Sequence, residues 1–163
     1  METAFNSFIQ TDVPEDEVIV SRTDFTGKIT YVNEVFADIS GYKPEELIGK
    51  THNIIRHPDM PKSVFTGLWN KIQKGEVWEG YVKNLRKDGG YYWVHARVST
   101  LKKDGKPIEY KSVREPITDA KKVEMQDLYD KMRSEEENST RVVLYVKNEN
   151  LKAVEDLEEG NNK

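Results

Sequence analysis

The apolar positions change period along the chain, and the changes mark its elements. Residues 18–24 are short and β-branched (Val18, Ile19, Val20, Thr23), which predicts a strand. Gly27 follows where a turn needs a positive φ, and residues 29–32 return as a second strand, closing a hairpin. Asn33 stands at the N-cap position of a helix over 34–39 that Gly41 ends. Residues 43–50 carry Pro44 in a first turn and Gly49 near the end, one further short helix. Val64, Phe65, Leu68, Trp69 and Ile72 recur at helical spacing, so a core-facing helix is predicted over 63–73, closed at Gly75. Three strands come next, over 78–85, 91–101 and 108–117. In the second of them Trp93, His95 and Arg97 alternate with Val94, Ala96 and Val98. The joining turns hold Asp88-Gly89 and Asp104-Gly105, the strongest short hairpin signal. Paired in sequence order, these elements give an α+β fold: a five-stranded antiparallel sheet with short helices and one longer helix over one face.

The flanks read differently. Phe5, Phe8, Ile9 and Val13 fall near helical spacing, so the leader, residues 1–17, is a short amphipathic helix or cap, with a frayed tail as the alternative. From Thr118 the composition shifts. Met125, Leu128 and Met132 keep coiled-coil spacing and predict a helix over 119–134. Val142 and Val146 resume that register, yet residues 141–147 are β-branched, so helix and strand both stay open there. Leu151, Val154 and Leu157 suggest a last amphipathic turn, and residues 158–163 read as disordered. The divisions are thus a leader at 1–17, a domain at 18–118 and a C-terminal segment at 119–163.

Composition narrows the function classes. Hydrophobic residues at 36% and charged residues at 33% fit one compact core with polar flanks. A net charge of −4, with no basic cluster interleaved with aromatics, argues against a nucleic-acid surface. No apolar run approaches the roughly 20 residues of a membrane span, and the N-terminus lacks a basic-then-apolar signal pattern, so a cytoplasmic protein is expected. The absence of cysteine removes disulfides, zinc ribbons, thiol catalysis and photosensing through a cysteine adduct.

Candidate chemistry concentrates in residues 51–61. This stretch holds two of the three histidines (His52, His57), together with Arg56, Asp59, Pro58 and Pro61. Each proline lacks an amide hydrogen and pushes the residue before it out of helix, so the segment is a short helix or turn ending near Arg56, then a bend. A rigid bend carrying a guanidinium and imidazoles suits an anionic, planar, hydrogen-bonding ligand. The plain alternative is a surface loop in which Arg56 pairs with Asp59. A zinc site is not indicated, because the two histidines have no third ligand close by.

The pattern from Val18 to about Asp119 resembles a PAS domain. The carrying motifs are Ile29-Thr30-Tyr31-Val32-Asn33, Ser40-Gly41-Tyr42 followed by Glu45-Glu46-Leu47-Ile48-Gly49, and Lys87-Asp88-Gly89 before Tyr92-Trp93-Val94. A more specific likeness lies in His52-Asn53-Ile54-Ile55-Arg56-His57-Pro58-Asp59-Met60-Pro61-Lys62, with Phe65, Trp69, Lys74-Gly75-Glu76, Trp78, Gly80 and Val82-Lys83-Asn84. It resembles the FAD-binding PAS domain of the Aer-type aerotaxis receptors. A chain of this length carrying that module, with no membrane segment or receptor tail, resembles the stand-alone CetB-type energy-taxis proteins, which work with a separate membrane-bound, HAMP-containing transducer of CetA type; the likeness covers roughly the middle hundred residues and does not extend to 135–163.

The resemblance implies an FAD-binding redox sensor, not an enzyme, recruited to the inner membrane face by its receptor partner. A homodimer through the flanking helices is a further expectation. Carried over residue by residue, Arg56, His57 and Asp59 are required for FAD, with His52 and Asn53 in the same motif. Phe65, Trp69, Trp78 and Asn84 fall on pocket positions, and Trp93 is expected to complete the slot for the isoalloxazine ring. Asn33 belongs among the candidates, with helix capping as its plainer role. Two other readings of the fold stay open: a haem-based gas sensor with His52, His57 or His95 as axial ligand, and a ligand-free interaction module. A flavoenzyme is remote, since no pyridine-nucleotide fingerprint is present.

Overall fold

The computed structural model describes residues 7–149, with side chains through residue 137. Strands β1 (Ile19–Thr23) and β2 (Ile29–Val32) form the first hairpin. In its turn the Asp24 carboxylate accepts hydrogen bonds from the Thr26 and Lys28 amides at 2.9 and 3.0 Å. Gly27 sits at φ 91°, and a Cβ there would also stand only 3.3 Å from the Trp69 ring, so the turn needs glycine twice over. Helix α1 (Glu34–Ser40) starts at Asn33, whose side chain accepts from the Phe36 amide at 3.0 Å, and ends at Gly41 with φ 78°.

Helix α2 (Pro44–Leu47) is shorter than the helix expected over 43–50. The backbone after it is engaged elsewhere: Gly49 donates to the Ile29 carbonyl, and Lys50 accepts from the Ile29 amide, both at 2.8 Å. A 3-10 turn (His52–Ile55) and helix α3 (Lys62–Gln73) lead to β3 (Trp78–Leu85), β4 (Tyr91–Lys103) and β5 (Lys106–Glu115).

The five strands are antiparallel in the order β2-β1-β5-β4-β3. Pairing is therefore not in sequence order throughout. The helical stretch carries the chain to the opposite edge, and β5 returns to the centre to pair with β1 as well as β4. One sheet face, with Ile19, Val82, Val94, Ala96 and Val98, packs against the segment holding α1 to α3 and buries Phe36, Leu47 and Ile55 with it. The other face carries helix α4 (Asp119–Glu149), so the helices are not confined to one side. Tyr129 of α4 is buried there, its ring stacked on Trp93 at 6.2 Å. Residues 141–147 lie within α4, so of the two readings left open there the structure has helix.

Residues 7–16 are not helical. Gln10 pairs in parallel with Tyr91, flanked by hydrogen bonds from the Thr11 amide to the Tyr91 carbonyl (2.9 Å) and from the Tyr91 amide to the Ile9 carbonyl (3.0 Å). The reason is an open edge. β5 pairs with β4 only from His95 onward, and the leader occupies the bare edge before it. Val13 anchors it in the core, while Phe8 stays 85% exposed. The suggested turn at Leu151, Val154 and Leu157 and the expected disorder at 158–163 lie outside the described residues.

Gly80 supplies a stability prediction. A Cβ at this position would fall 2.5 Å from the buried Trp78 indole, which lies across it. Gly80→Ala is expected to displace the ring and lower stability by about 1–3 kcal/mol, the usual range for overpacking. A urea melt reads this as a drop in midpoint, and an unchanged midpoint would mean the indole is free to move.

Candidate functional site

Between α3 and the inner sheet face lies an open-sided cavity of about 170 Å³. It opens to solvent on one side, so a large ligand would fill it only in part and extend outward. The helix contributes Phe65, Leu68, Trp69 and Ile72; β3 and β4 contribute Val82, Asn84 and Val98; the stretch from Thr51 to Arg56 forms a third wall. Most of this lining is apolar, because the same 3.6-residue spacing that makes α3 amphipathic turns its apolar stripe toward the sheet.

Polar groups are interspersed in it, and Ser21, Asn84, Ser112 and Arg114 are buried. Arg114 of β5 is only 7% exposed. Its Nε donates to Ser112 Oγ at 3.0 Å, its Nη2 lies 3.5 Å from His52 Nδ1, and its Nη1 has no partner. Among the described residues no carboxylate pairs with it. Burial pushes its pKa below the usual arginine range. His52 is held on its other nitrogen by Ser21 Oγ at 3.2 Å and meets the Phe36 ring edge-on. Burial, and then the Arg114 charge, hold its pKa well below the ordinary imidazole value, so it is neutral. Asn84, 2% exposed, has no strong partner for its Nδ2 within the protein, and its side chain lies beside the hydroxyl of Tyr92, which is opposite it in register and outside the cavity lining. Burial raises the Tyr92 pKa to about 12, so it remains a donor.

Arg114 Nη1 and Asn84 Nδ2, two donors on the cavity wall, form a site for an acceptor-rich or anionic edge. A buried donor without an acceptor costs about 1–3 kcal/mol, and a ligand that accepts from it recovers that loss.

The expected site residues divide. His52, Asn53, Arg56, Phe65, Trp69 and Asn84 line the space together. The Arg56 guanidinium lies over the Phe65 ring, 4.1 Å from its centroid, and the Arg56 backbone bridges to Asn84. It does not pair with Asp59, so the plain loop reading of this bend fails. Five others lie elsewhere. Asn33 is a helix cap whose amide oxygen also accepts from Val20 N (3.1 Å), and whose Nδ2 donates to Val18 O (2.9 Å). Trp78 shares the inner face but covers Gly80 outside the cavity lining. Trp93 points to the opposite sheet face, under α4.

His57 and Asp59 also turn away from the cavity. His57 Nδ1 accepts the Asp59 amide at 3.0 Å, and its ring meets Tyr91 edge-on. Asp59 accepts from Lys83 Nζ at 2.7 Å and lies 3.6 Å from Arg133 of α4. Burial opposes the Asp59 charge, yet Lys83, then His57 and Arg133, outweigh it and keep the carboxyl below its usual pKa. Burial, then Lys83, lower the His57 pKa to about 4. His95 is on the outer face against Tyr81.

Sequence reasoning missed Arg114, Tyr92, Ser112 and Ser21. A signal for Arg114 was present: it continues the alternation of Tyr110 and Ser112, so it falls on the inward phase of a central strand.

The family model for the PAS fold matches residues 29–114. The chain belongs to the PAS fold family. This PAS chain is 42% identical over 119 residues to the aerotaxis receptor of Escherichia coli (strain K12), an alignment that takes in 73% of the chain and 24% of the receptor. The chain thus spans about a quarter of that relative's length. Among solved structures, the light state of the blue-light photoreceptor Aureochrome1 LOV superposes with a TM-score of 0.58 at 22% identity, over 74% of this chain and 91% of that one. A light-oxygen-voltage domain studied with a flavin analogue gives a TM-score of 0.56 at 21% identity, over 75% and 87%. At these identities the likeness of the structures is one of fold. Among the described residues no helix is long and apolar enough to cross a membrane.

Proposed function

We propose that this PAS domain binds FAD between α3 and the inner sheet face and reports its redox state to a membrane-bound chemoreceptor partner in energy taxis. The observation that carries the reading is the buried Arg114, with no carboxylate paired to it among the described residues and with Nη1 free, next to Asn84 Nδ2 in a cavity whose exposed lining surface is mostly apolar. The similarity to the aerotaxis receptor supports the signalling context. When bound, FAD supplies a flat ring whose edge accepts hydrogen bonds when oxidised, and which holds more negative charge and an added N–H donor when reduced.

Trp69 and Phe65 give the ring apolar walls. Arg114, whose guanidinium neutral His52 orients by accepting at Nδ1, offers a donor to its electron-rich edge, and Arg56 offers a forked donor to a phosphate oxygen. Asn84 has both a donor and an acceptor in one amide, so a rotation about its side chain serves either redox state. Such a rotation would bear on β3, the edge strand that also contacts α4. Receipt of the signal by a CetA-like, HAMP-containing transducer, cytoplasmic placement against the inner membrane, and a homodimer through the flanking segments complete the proposal.

A haem reading has less support. Of His52, His57 and His95 only His52 lines the cavity, and both its nitrogens are engaged, one of them beside a cation. A ligand-free module would leave the buried donors unpaired.

The test is the colour of the full chain purified with flavin available. A yellow protein releasing FAD by mass is expected. A colourless one that stays so after reconstitution, or one with a Soret band, overturns the reading. Asn84→Ala should weaken FAD binding or lock partner signalling in one state. Redox-dependent signalling of normal amplitude in that variant would remove Asn84 from the mechanism.

A further inference from the structure

Lys83 and Asn84 are neighbours on β3, so their side chains take opposite faces of the sheet. Asn84 belongs to the cavity wall. Lys83 is 7% exposed on the other side, where its ammonium donates to Asp59 at 2.7 Å and to Gln126 of α4 at 2.8 Å. It also stands 4.4 Å from the centroid of the Tyr91 ring. Asp59 holds the same helix a turn or two further along, through Arg133. Still further along, the Glu136 carboxylate accepts from the Lys62 and Ser63 amides at 3.3 and 3.0 Å. Those are the first amides of α3, whose own N-cap residue, Pro61, offers no side-chain hydrogen bond. A carboxylate borrowed from α4 thus supplies the anion that a helix N-terminus favours.

Each fastening of α4 lies close along the chain to a cavity residue. Lys83 adjoins Asn84, Asp59 is three residues from Arg56, and the capped end of α3 leads directly into Phe65. The geometry points to a clasp: Asp59, Lys83, Gln126 and Glu136 are positioning residues that tie α4 to the cavity walls, so that docking of α4 and binding in the cavity strengthen each other. This rests on the FAD reading, and it gives Asp59 a role other than contact with the cofactor. A buried ion pair adds little net stability over an apolar substitute, but it sets register and is costly to break from one side. Those are the properties of an element with two arrangements. Linkage then requires that whatever factor α4 docking adds to FAD affinity, FAD adds to α4 docking.

The experiment uses the full chain, with FAD titration and amide hydrogen exchange of α4 as separate readouts. Gln126→Ala and Glu136→Ala, both remote from the cavity, should each weaken FAD binding about fivefold, the low end of typical coupling. They should lower α4 protection without ligand, and FAD should raise that protection in the parent chain. Asp59→Asn should bind FAD poorly, and Asp59→Asn with Lys83→Gln should recover part of the loss, because two amides can replace the ion pair. Unchanged FAD affinity in both α4 variants overturns the clasp, as does a double variant no better than Asp59→Asn alone. If the parent binds no FAD while Gln126→Ala still frees α4, the cofactor reading and the coupling fall together, leaving a structural fastening.

Discussion

Arg114→Met is expected to move stability and binding in opposite directions. In the ligand-free chain the guanidinium is buried with Nη1 unpaired and, among the described residues, no carboxylate paired to it. A buried charge without a counter-charge is costly to desolvate, so an apolar side chain of similar length removes that cost. The lost bonds to Ser112 and His52 reduce that gain, so the urea midpoint should stay level or rise. FAD binding should weaken by roughly 10- to 150-fold, the equivalent of a charged hydrogen bond worth about 1.5–3 kcal/mol. The reduced form should suffer more than the oxidised one, since its added negative charge loses its counter-ion, so the midpoint potential should fall. A purely structural arginine would lower the stability and leave the potential alone. Urea melts, FAD titration and a redox titration decide between the two, and a variant that is less stable yet binds FAD normally would refute the assignment.

The elements of the fold were legible where a local rule had no competitor. Asn33 and Gly41 bracket α1 because capping is settled within a few residues. The Asp-Gly turns predict the β3–β4–β5 meander for the same reason. Long-range pairing was hidden: nothing near β1 announces that its second partner is β5, some 90 residues on. At the site, the stretch ending at Arg56 and the helix carrying Phe65 and Trp69 were legible from proline placement and helical period. Trp93 was misplaced although its alternation with Val94 was read correctly. Period fixes which residues share a face, but the facing layer decides which face is the cavity, and α4 had not been expected to cover the other. His57 and Asp59 were read as one unit with Arg56. A bend with proline at its corner reverses direction, however, and places consecutive side chains on different sides of the wall.

Acid will unfold the ligand-free chain earlier than its carboxylates alone require. Half-buried His52 and buried His57 are both neutral, and both have folded pKa values below the ordinary imidazole value of about 6.5. In unfolded chain each takes up a proton as the pH falls through that value. In the folded protein His57 waits until about pH 4, and His52 is also held well below the ordinary value. Over this window the unfolded state binds more protons, so stability rises with pH and is lost on acidification. Each such imidazole adds a slope of about 1.4 kcal/mol per pH unit. Two give a slope approaching about 3, steep against a typical total of about 5–15 kcal/mol. Asp59 acts in the same direction but lower: its folded pKa is depressed below 3.8, so its contribution is full above that value and fades only beneath it. Urea midpoints at pH 7, 6 and 5, at one ionic strength, should therefore fall steeply before any carboxylate titrates. His57→Gln keeps an oxygen able to accept the Asp59 amide and cannot titrate, so it should remove roughly half of the slope. A parent midpoint that stays flat from pH 7 to pH 5 would mean that the folded chain protonates both rings in place. The buried wall built on neutral His52 and charged Arg114 would then be wrong.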